Sequence, residues 1–223
     1  MDVSYAEENY LKAIYRLSTN GNVVNTNALA EELATKPASV SDMLKKLSAK
    51  NLIHYEKYRG VSLTPVGRKV ALWIVRKHRL WEVFLVEKLS FSWDEVHEVA
   101  EQLEHIQSKR LIDQLDAFLG HPKTDPHGEP IPDREGNVAN TSSQLLRDAP
   151  NQVPLRVVSV NDSSSELLQY LDKIGISIGS RLKVLSKIAY DESMELEVGA
   201  GERRSVSKQI TENIYVNQDS PEN

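Results

Sequence analysis

The hydrophobic period of this chain changes at Pro154, and that change limits the folds open to it. Upstream, apolar residues recur at three- and four-residue intervals: Tyr10, Leu11, Ile14, Tyr15 and Leu17, then Leu29 and Leu33, then Val40, Met43, Leu44 and Leu47. Each set marks one face of a helix. Downstream, "LRVVSV", "SRLKVLSKI", "MELEVG" and "NIYVN" are short β-type runs, separated by glycine turns and one helical stretch, "SSSELLQYLDKIG". One layer of one kind cannot satisfy both patterns. The prediction is a mainly α N-terminal part followed by a small β-barrel of roughly 65 residues, near the lower limit for independent folding.

Within the first part, a helix is predicted over residues 5–18, and Thr26 is placed to cap a short helix over "NALAEELA". Pro37 suits the first turn of a third helix. "IHYEKYRGVSLT" alternates apolar and polar residues around Gly60 and reads as a hairpin. Thr64-Pro65 then caps and opens a long helix that runs to Leu89. Three helices followed by a basic hairpin is the order of a winged helix-turn-helix, in which the third helix enters the major groove and the wing touches backbone.

Charge supports that assignment. The formal net charge is −5, yet eleven Lys or Arg lie between Lys36 and Arg79 against Asp42 and Glu56 alone, a local net of +9 that leaves −14 for the rest. Such asymmetry marks one polyanion-binding segment in an acidic protein, although a solvated basic surface gives the same count. The residues left facing outward on the third helix and its approach are Thr35, Lys36, Ala38, Ser39, Ser41, Asp42, Lys45 and Lys46, with Lys57 and Arg59 on the hairpin. Their side chains suit phosphates and base edges of double-stranded DNA.

The chain has no cysteine, which excludes disulfides, thiolate nucleophiles and sulfur-based zinc sites. No signal-peptide h-region opens the sequence, and no apolar run approaches the ~18–20 residues that span a bilayer. A cytoplasmic protein with no membrane partner is the expectation.

A further helix is predicted over residues 93–106, and it contains "DEVHEVAEQLEH". With about 100° per residue, His97, Glu101, Glu104 and His105 share a sector of roughly 100° beside the apolar Val99, Leu103 and Ile106. Glu95 and Glu98 point elsewhere. His78 and Glu82 stand one turn apart on the long helix. The run is either a solvated acidic face or a ligand set; His and Glu from two helices of a bundle recur at metal sites, and oxygen and nitrogen donors without sulfur suit manganese or ferrous iron. "HEVAE" lacks the second histidine of the zinc-protease pattern HExxH, and neither a phosphate loop nor a serine elbow is present. A metalloenzyme would also leave the basic hairpin without a purpose.

The chain resembles the diphtheria-toxin-repressor family of metal-dependent bacterial transcription regulators over nearly its full length. "ENYLKAIYRL", "ALAEELATKPASVSDMLKKL", "YEKYRGVSLTPVGRKVA", "VRKHRLWEVFL", "VHEVAEQLEH" and "DPHGEPIP" carry the likeness, and "KIGISIGSRLKVL" resembles the C-terminal SH3-like (FeoA-type) domain of its longer members. The resemblance implies a winged helix-turn-helix over 1–70, a helical metal-binding and dimerisation domain over 71–137, a linker over 138–153 and an SH3-like domain over 154–217. It implies a homodimer that represses transcription from a palindromic operator when metal is bound. Two neighbouring metal sites follow by position. One takes His78, Glu82 and His97, completed from the SH3-like domain by Glu166, with Asp162 and Ser163 nearby in sequence. The other takes Glu101, Glu104 and His105 with Asn9 of the first helix. Glu101 stands where iron-responsive members carry Cys, as in manganese-responsive members, so Mn2+ is the favoured ion and Fe2+ the next. Lys12 stands where the short manganese regulators place another Glu, which argues against their binuclear arrangement. A metal-independent regulator, its acidic helix serving only dimerisation, is the competing expectation. The long helix, with Trp73, Trp81, Val83, Phe84 and Leu85, is apolar enough to supply a dimer surface in either case.

Overall fold

The computed structural model describes residues 3–18, 23–56, 59–139, 142–161 and 164–219. The chain forms α1 (Tyr5–Leu17), α2 (Thr26–Glu32), α3 (Pro37–Ala49), β1 (Ile53–Glu56), β2 (Gly60–Leu63), α4 (Pro65–Leu89), α5 (Val96–Leu103) and α6 (Lys109–Phe118). There follow β3 (Gln144–Leu145), β4 (Pro154–Val160), α7 (Ser165–Lys173), β5 (Arg181–Lys187), β6 (Met194–Val198), β7 (Glu202–Val206), α8 (Lys208–Thr211) and β8 (Ile214–Gln218). These elements sort into two units. One comprises Met1–Arg79, Glu101–Asp113 and Pro132–Val138; the other comprises Leu80–Ala100, Gln114–Ile131 and Ala139–Asn223.

The first unit is built on a winged helix-turn-helix. Leu11 and Ile14 of α1, Leu29 of α2, and Val40, Leu44 and Leu47 of α3 are all fully buried in one core. Side chains of this size contribute about 1.5–3 kcal/mol each when removed from water. Leu52 and Ile53 lead from that core into the wing, where β1 and β2 pair antiparallel from Ile53↔Leu63 to Glu56↔Gly60. Val24 adds a bridge to Val61 with two backbone hydrogen bonds of 2.8 Å. Gly60 is fixed by this bridge: at φ +102°, a Cβ would stand 2.5 Å from the Val24 carbonyl oxygen.

Asn25, not Thr26, caps α2, accepting the Ala28 N–H at 2.8 Å; two adjacent residues could each cap, and the helix starts one residue earlier than Thr26 would allow. Pro37 takes the first turn of α3 as expected. Thr64 Oγ1 accepts the Gly67 N–H at 3.0 Å and thereby opens α4. Trp81, Val83 and Leu85, expected on a dimer surface, are buried within the chain, whereas Trp73 and Phe84 are half-buried.

The second unit carries a six-stranded antiparallel sheet of order β3-β8-β4-β5-β6-β7. Its core includes Leu155, Val157 and Val160 of β4, Leu168 and Leu171 of α7, Val184 of β5, Leu196 of β6 and Val216 of β8. Part of the stretch expected to be linker is folded: β3 pairs with β8, and Leu146 and Ala149 are fully buried in this core. Residues 154–160 and 194–198 match the expected runs, while β7, "ERRSV", escapes hydrophobic reading because only Val206 is buried.

Candidate metal centre and nucleic-acid interface

Helix α3 turns its apolar stripe inward and leaves Lys36, Ala38, Ser39, Asp42, Lys45 and Lys46 exposed, with Thr35 and Ser41 half-buried. Lys45 Nζ donates to Asp42 at 2.9 Å, and on the wing Arg59 donates to Glu56 at 3.0 Å; both pairs are exposed. Lys57 lies outside the described residues. A second contact of α3 is internal. Glu7 of α1 is fully buried, accepts from Lys50 Nζ at 2.8 Å and lies 3.3 Å from Lys46 Nζ. Burial alone would raise the Glu7 carboxyl, but Lys50, the Ser4 N–H and Lys46 outweigh it and hold its pKa at about 2. Helix α1 is therefore bolted to the helix that would read DNA.

Helix α1 also faces the end of α5. Glu8 Oε2 lies 2.6 Å from His105 Nδ1, and Glu8 Oε1 accepts from Gln107 Nε2 at 2.9 Å. One turn on, Lys12 Nζ donates to Glu101 Oε1 at 2.5 Å and to Glu104 Oε2 at 2.6 Å, and lies 3.2 Å from His78 Nδ1. His78 Nδ1 is itself 2.6 Å from Glu104 Oε2. The ligand atoms of His78, Glu101 and Glu104 all lie within 4.8 Å of one another. Among the described residues, four buried polar atoms here have no hydrogen-bond partner: Lys77 Nζ, Asn9 Oδ1, Glu104 Oε1 and His105 Nε2. The last two stand 3.8 Å apart. Buried polar atoms are rarely left so. Lone pairs of two oxygens and an imidazole nitrogen are of the kind that suits a hard divalent ion, and Glu101, which accepts from Lys12, adds a carboxylate; the converging group among the described residues takes His78, not the expected His105, with the two glutamates.

The other expected trio divides between the units: His78 belongs to the first, Glu82 and His97 to the second. In the second unit, Glu82 Oε1 lies 3.7 Å from His97 Nδ1 and 3.9 Å from His127 Nδ1. Glu82, Asp125 and His127, all buried, bring ligand atoms within 4.8 Å of one another. Asp125 and His127 are the residues that the sequence reading missed. Their loop is framed by backbone. His127 Nε2 lies 2.7 Å from the Trp93 carbonyl oxygen, which can only accept, so Nε2 carries the proton and Nδ1 presents a lone pair toward Glu82. A histidine that donates its remote N–H to a carbonyl is oriented as metal-bound imidazoles are. Asp125 Oδ1 accepts the N–H groups of His127 and Glu129. Gly128, at φ +83°, lets the loop approach β4 so closely that a Cβ would meet the Val158 carbonyl oxygen at 2.0 Å. Spacing could not reveal this set, because Asp125 and His127 sit in a loop without period; "DPHG" was the visible signal. Glu166 is exposed at the start of α7 and accepts from Ser164 Oγ at 2.8 Å; no converging ligand group among the described residues includes it. Asp162 and Ser163 lie outside the described residues.

Family models match the chain in three consecutive blocks: the iron dependent repressor N-terminal DNA binding domain over 2–61, the iron dependent repressor metal binding and dimerisation domain over 64–133, and the FeoA domain over 144–218. The diphtheria toxin repressor of Corynebacterium efficiens is 30% identical over 198 residues, covering 83% of this chain and 85% of that protein. This chain belongs to the diphtheria toxin repressor family of metal-dependent transcriptional repressors. The iron-dependent repressor IdeR of Mycobacterium leprae is 32% identical over 164 residues, 70% of this chain and 71% of its own length. Among solved structures, a manganese-dependent transcriptional repressor in complex with manganese superposes with a TM-score of 0.89 at 34% identity, covering 95% of this chain and 99% of that one. Membership gives the wing, the acidic α5 and the FeoA sheet a common setting. Among the described residues, no helix is long and apolar enough to cross a membrane.

Proposed function

We propose that this protein is a manganese-activated transcriptional repressor, with ferrous iron as the next-best activator, that binds a palindromic operator as a homodimer and controls metal-ion homeostasis. Its role is regulatory and not enzymatic. The observation that carries the reading is the position of α1. It brings Glu8 and Lys12 to the end of α5, and Glu7 is tied to Lys46 of the reading helix and to Lys50 just past its end.

Asn9, Glu101, Glu104 and His105 would hold the regulatory ion, and His78, 2.6 Å from Glu104 Oε2, would orient Glu104. Glu82, His97, Asp125 and His127 form a second set of ligands. A bound divalent ion supplies the positive charge that neutralises Glu101 and Glu104 together. The chain does the rest: ligands on α5 and α1 fix α1, and α1 fixes the pose of α3 through Glu7. Thr35, Lys36, Ala38, Ser39, Ser41, Asp42, Lys45 and Lys46 then meet the major groove, with Lys57 and Arg59 of the wing on the backbone. Ions that favour the fixed pose shift the population toward it. The preference for manganese is supported by the all-oxygen-and-nitrogen donors, Glu101 among them, and by the similarity to a repressor solved with manganese.

One observation favours the competing reading of a metal-independent regulator: the Lys12 ammonium already bridges Glu101 and Glu104. The test is to select duplexes from a random pool with the full chain and measure their affinity after chelation, with Mn2+, and with Fe2+ under anaerobic conditions. Binding is expected only with an ion present, and tighter with manganese. Equal binding in chelator would overturn metal dependence, and equal or better activation by iron would overturn the preference.

A further inference from the structure

Lys12 occupies the middle of the first unit's acidic cluster. The residue is only 6% exposed, and its ammonium is within hydrogen-bond distance of one oxygen of Glu101, one oxygen of Glu104 and Nδ1 of His78. Glu104 is fully buried, so water does not neutralise it. A buried carboxylate without a counter-charge is strongly disfavoured. Glu8 and Lys12 stand one turn apart on α1, and α1 delivers the amine to the same two glutamates that the proposed function assigns to the ion.

We propose that Lys12 is a tethered counter-cation. In the metal-free chain its ammonium holds Glu101 and Glu104 together, and a divalent ion is bound only as that ammonium withdraws. The inference rests on the proposed function for the identity of the ligands, but it adds a property of its own. Glu8, Glu101 and Glu104 with the two buried ammoniums of Lys12 and Lys77 carry −1; a divalent ion in place of Lys12 makes the cluster neutral; a divalent ion alongside Lys12 makes it +1 around a fully buried Glu104. Repulsion between the two cations is strongest in such surroundings, so the two occupants exclude each other. Because the amine is part of the chain, its local concentration does not fall on dilution. The competition therefore weakens the apparent affinity for every divalent ion by a common factor and sets the threshold at which the repressor responds. The ammonium also gives Glu101 and Glu104 a counter-charge when metal is scarce, so that loss of the ion does not unfold the cluster.

A purely structural ion pair makes a different forecast, and Lys12→Met separates the two. The substitution keeps the length of the side chain and removes the charge. The full-length protein and the variant are titrated with Mn2+ in competition with a fluorescent chelator, and each is melted with and without Mn2+. The tethered cation predicts that Lys12→Met binds Mn2+ on the order of ten- to a hundredfold more tightly. It also predicts that the variant melts lower than wild type without metal and gains more from added Mn2+. Should the metal-free variant be unfolded, recovery of its circular dichroism on adding Mn2+ reports the same competition. Lys12→Gln, which keeps a neutral donor, is read in the same way. Unchanged or weaker affinity in both variants, with wild type binding Mn2+, overturns the counter-cation and leaves the regulatory function standing. Binding by Lys12→Met but not by wild type supports the counter-cation and overturns the function. If neither protein binds Mn2+, both are overturned.

Discussion

The two ligand clusters of this repressor are held in different ways. Around Glu101 and Glu104 the contacts are between side chains, with Lys12, His78, Glu8 and His105 each meeting a partner from another element. Around Glu82, Asp125 and His127 the frame is backbone: a carbonyl accepts from His127, two N–H groups donate to Asp125, and Gly128 seats the loop against β4. A side-chain cage rearranges without disturbing secondary structure, whereas a backbone-framed cluster changes only if its loop does. The first has the makings of a switch and the second of a fixed fitting.

The comparison can be broken most forcefully at Gly128. Gly128→Ala places a Cβ 2.0 Å from a carbonyl oxygen at a positive φ, and a loss of stability on the order of 3 kcal/mol or more is expected in chemical denaturation. A near-neutral result would mean that the loop is not rigidly framed. Next in size, Glu104→Ala should abolish the gain in operator affinity on adding Mn2+, on the order of 100-fold, while far-ultraviolet circular dichroism shows the fold retained. Metal-dependent binding that survives would remove Glu104 from the switch. A smaller effect concerns the bolt between α1 and α3. The folded Glu7 carboxyl sits at about 2 against an ordinary 4.5. Its contribution is thus complete above pH 4.5 and is lost as the pH falls from there toward 2. Urea melts across that window should show wild type losing on the order of 2 kcal/mol that Glu7→Gln lacks already at pH 7. The smallest effect on stability belongs to Lys45→Ala. Its pair with Asp42 is exposed, so stability should hardly move. Operator affinity and its salt dependence should both fall, in an equilibrium titration at several salt concentrations.

Much of this architecture was legible because local chemistry and tertiary role agree. Thr64-Pro65 opens α4 as its residue types require, Gly60 sits where the wing turns under Val24, and Val40, Leu44 and Leu47 line the inner face of α3. The failures share a cause, in that a distant partner decided the outcome. Trp81, Val83 and Leu85 suited an outer dimer surface by pattern, and the fold of the same chain buried them. Strand β7 is nearly all polar and is defined by its pairing with β6 from Met194↔Val206 to Val198↔Glu202. Leu146 and Ala149 sit in a polar stretch and become core only through the sheet. At the sites, helical spacing correctly grouped Glu101 with Glu104, but it could not reveal that His78 meets Glu104 or that a loop histidine reaches Glu82. Lys12 looked like a departure from the expected ligands, and its contact with both glutamates is visible only in three dimensions.

The sharing of Lys46 between Glu7 and the exposed face of α3 has a consequence for the operator itself. A phosphate that drew on Lys46 would leave Glu7 tied to Lys50, so the operator would reach α1 and, through α1, the residues proposed to hold metal. Linkage makes such coupling reciprocal. Whatever factor the activating metal adds to operator affinity, the operator must return to metal affinity. A repressor seated on its site would then keep its ion down to a lower free-metal level than the same protein off DNA.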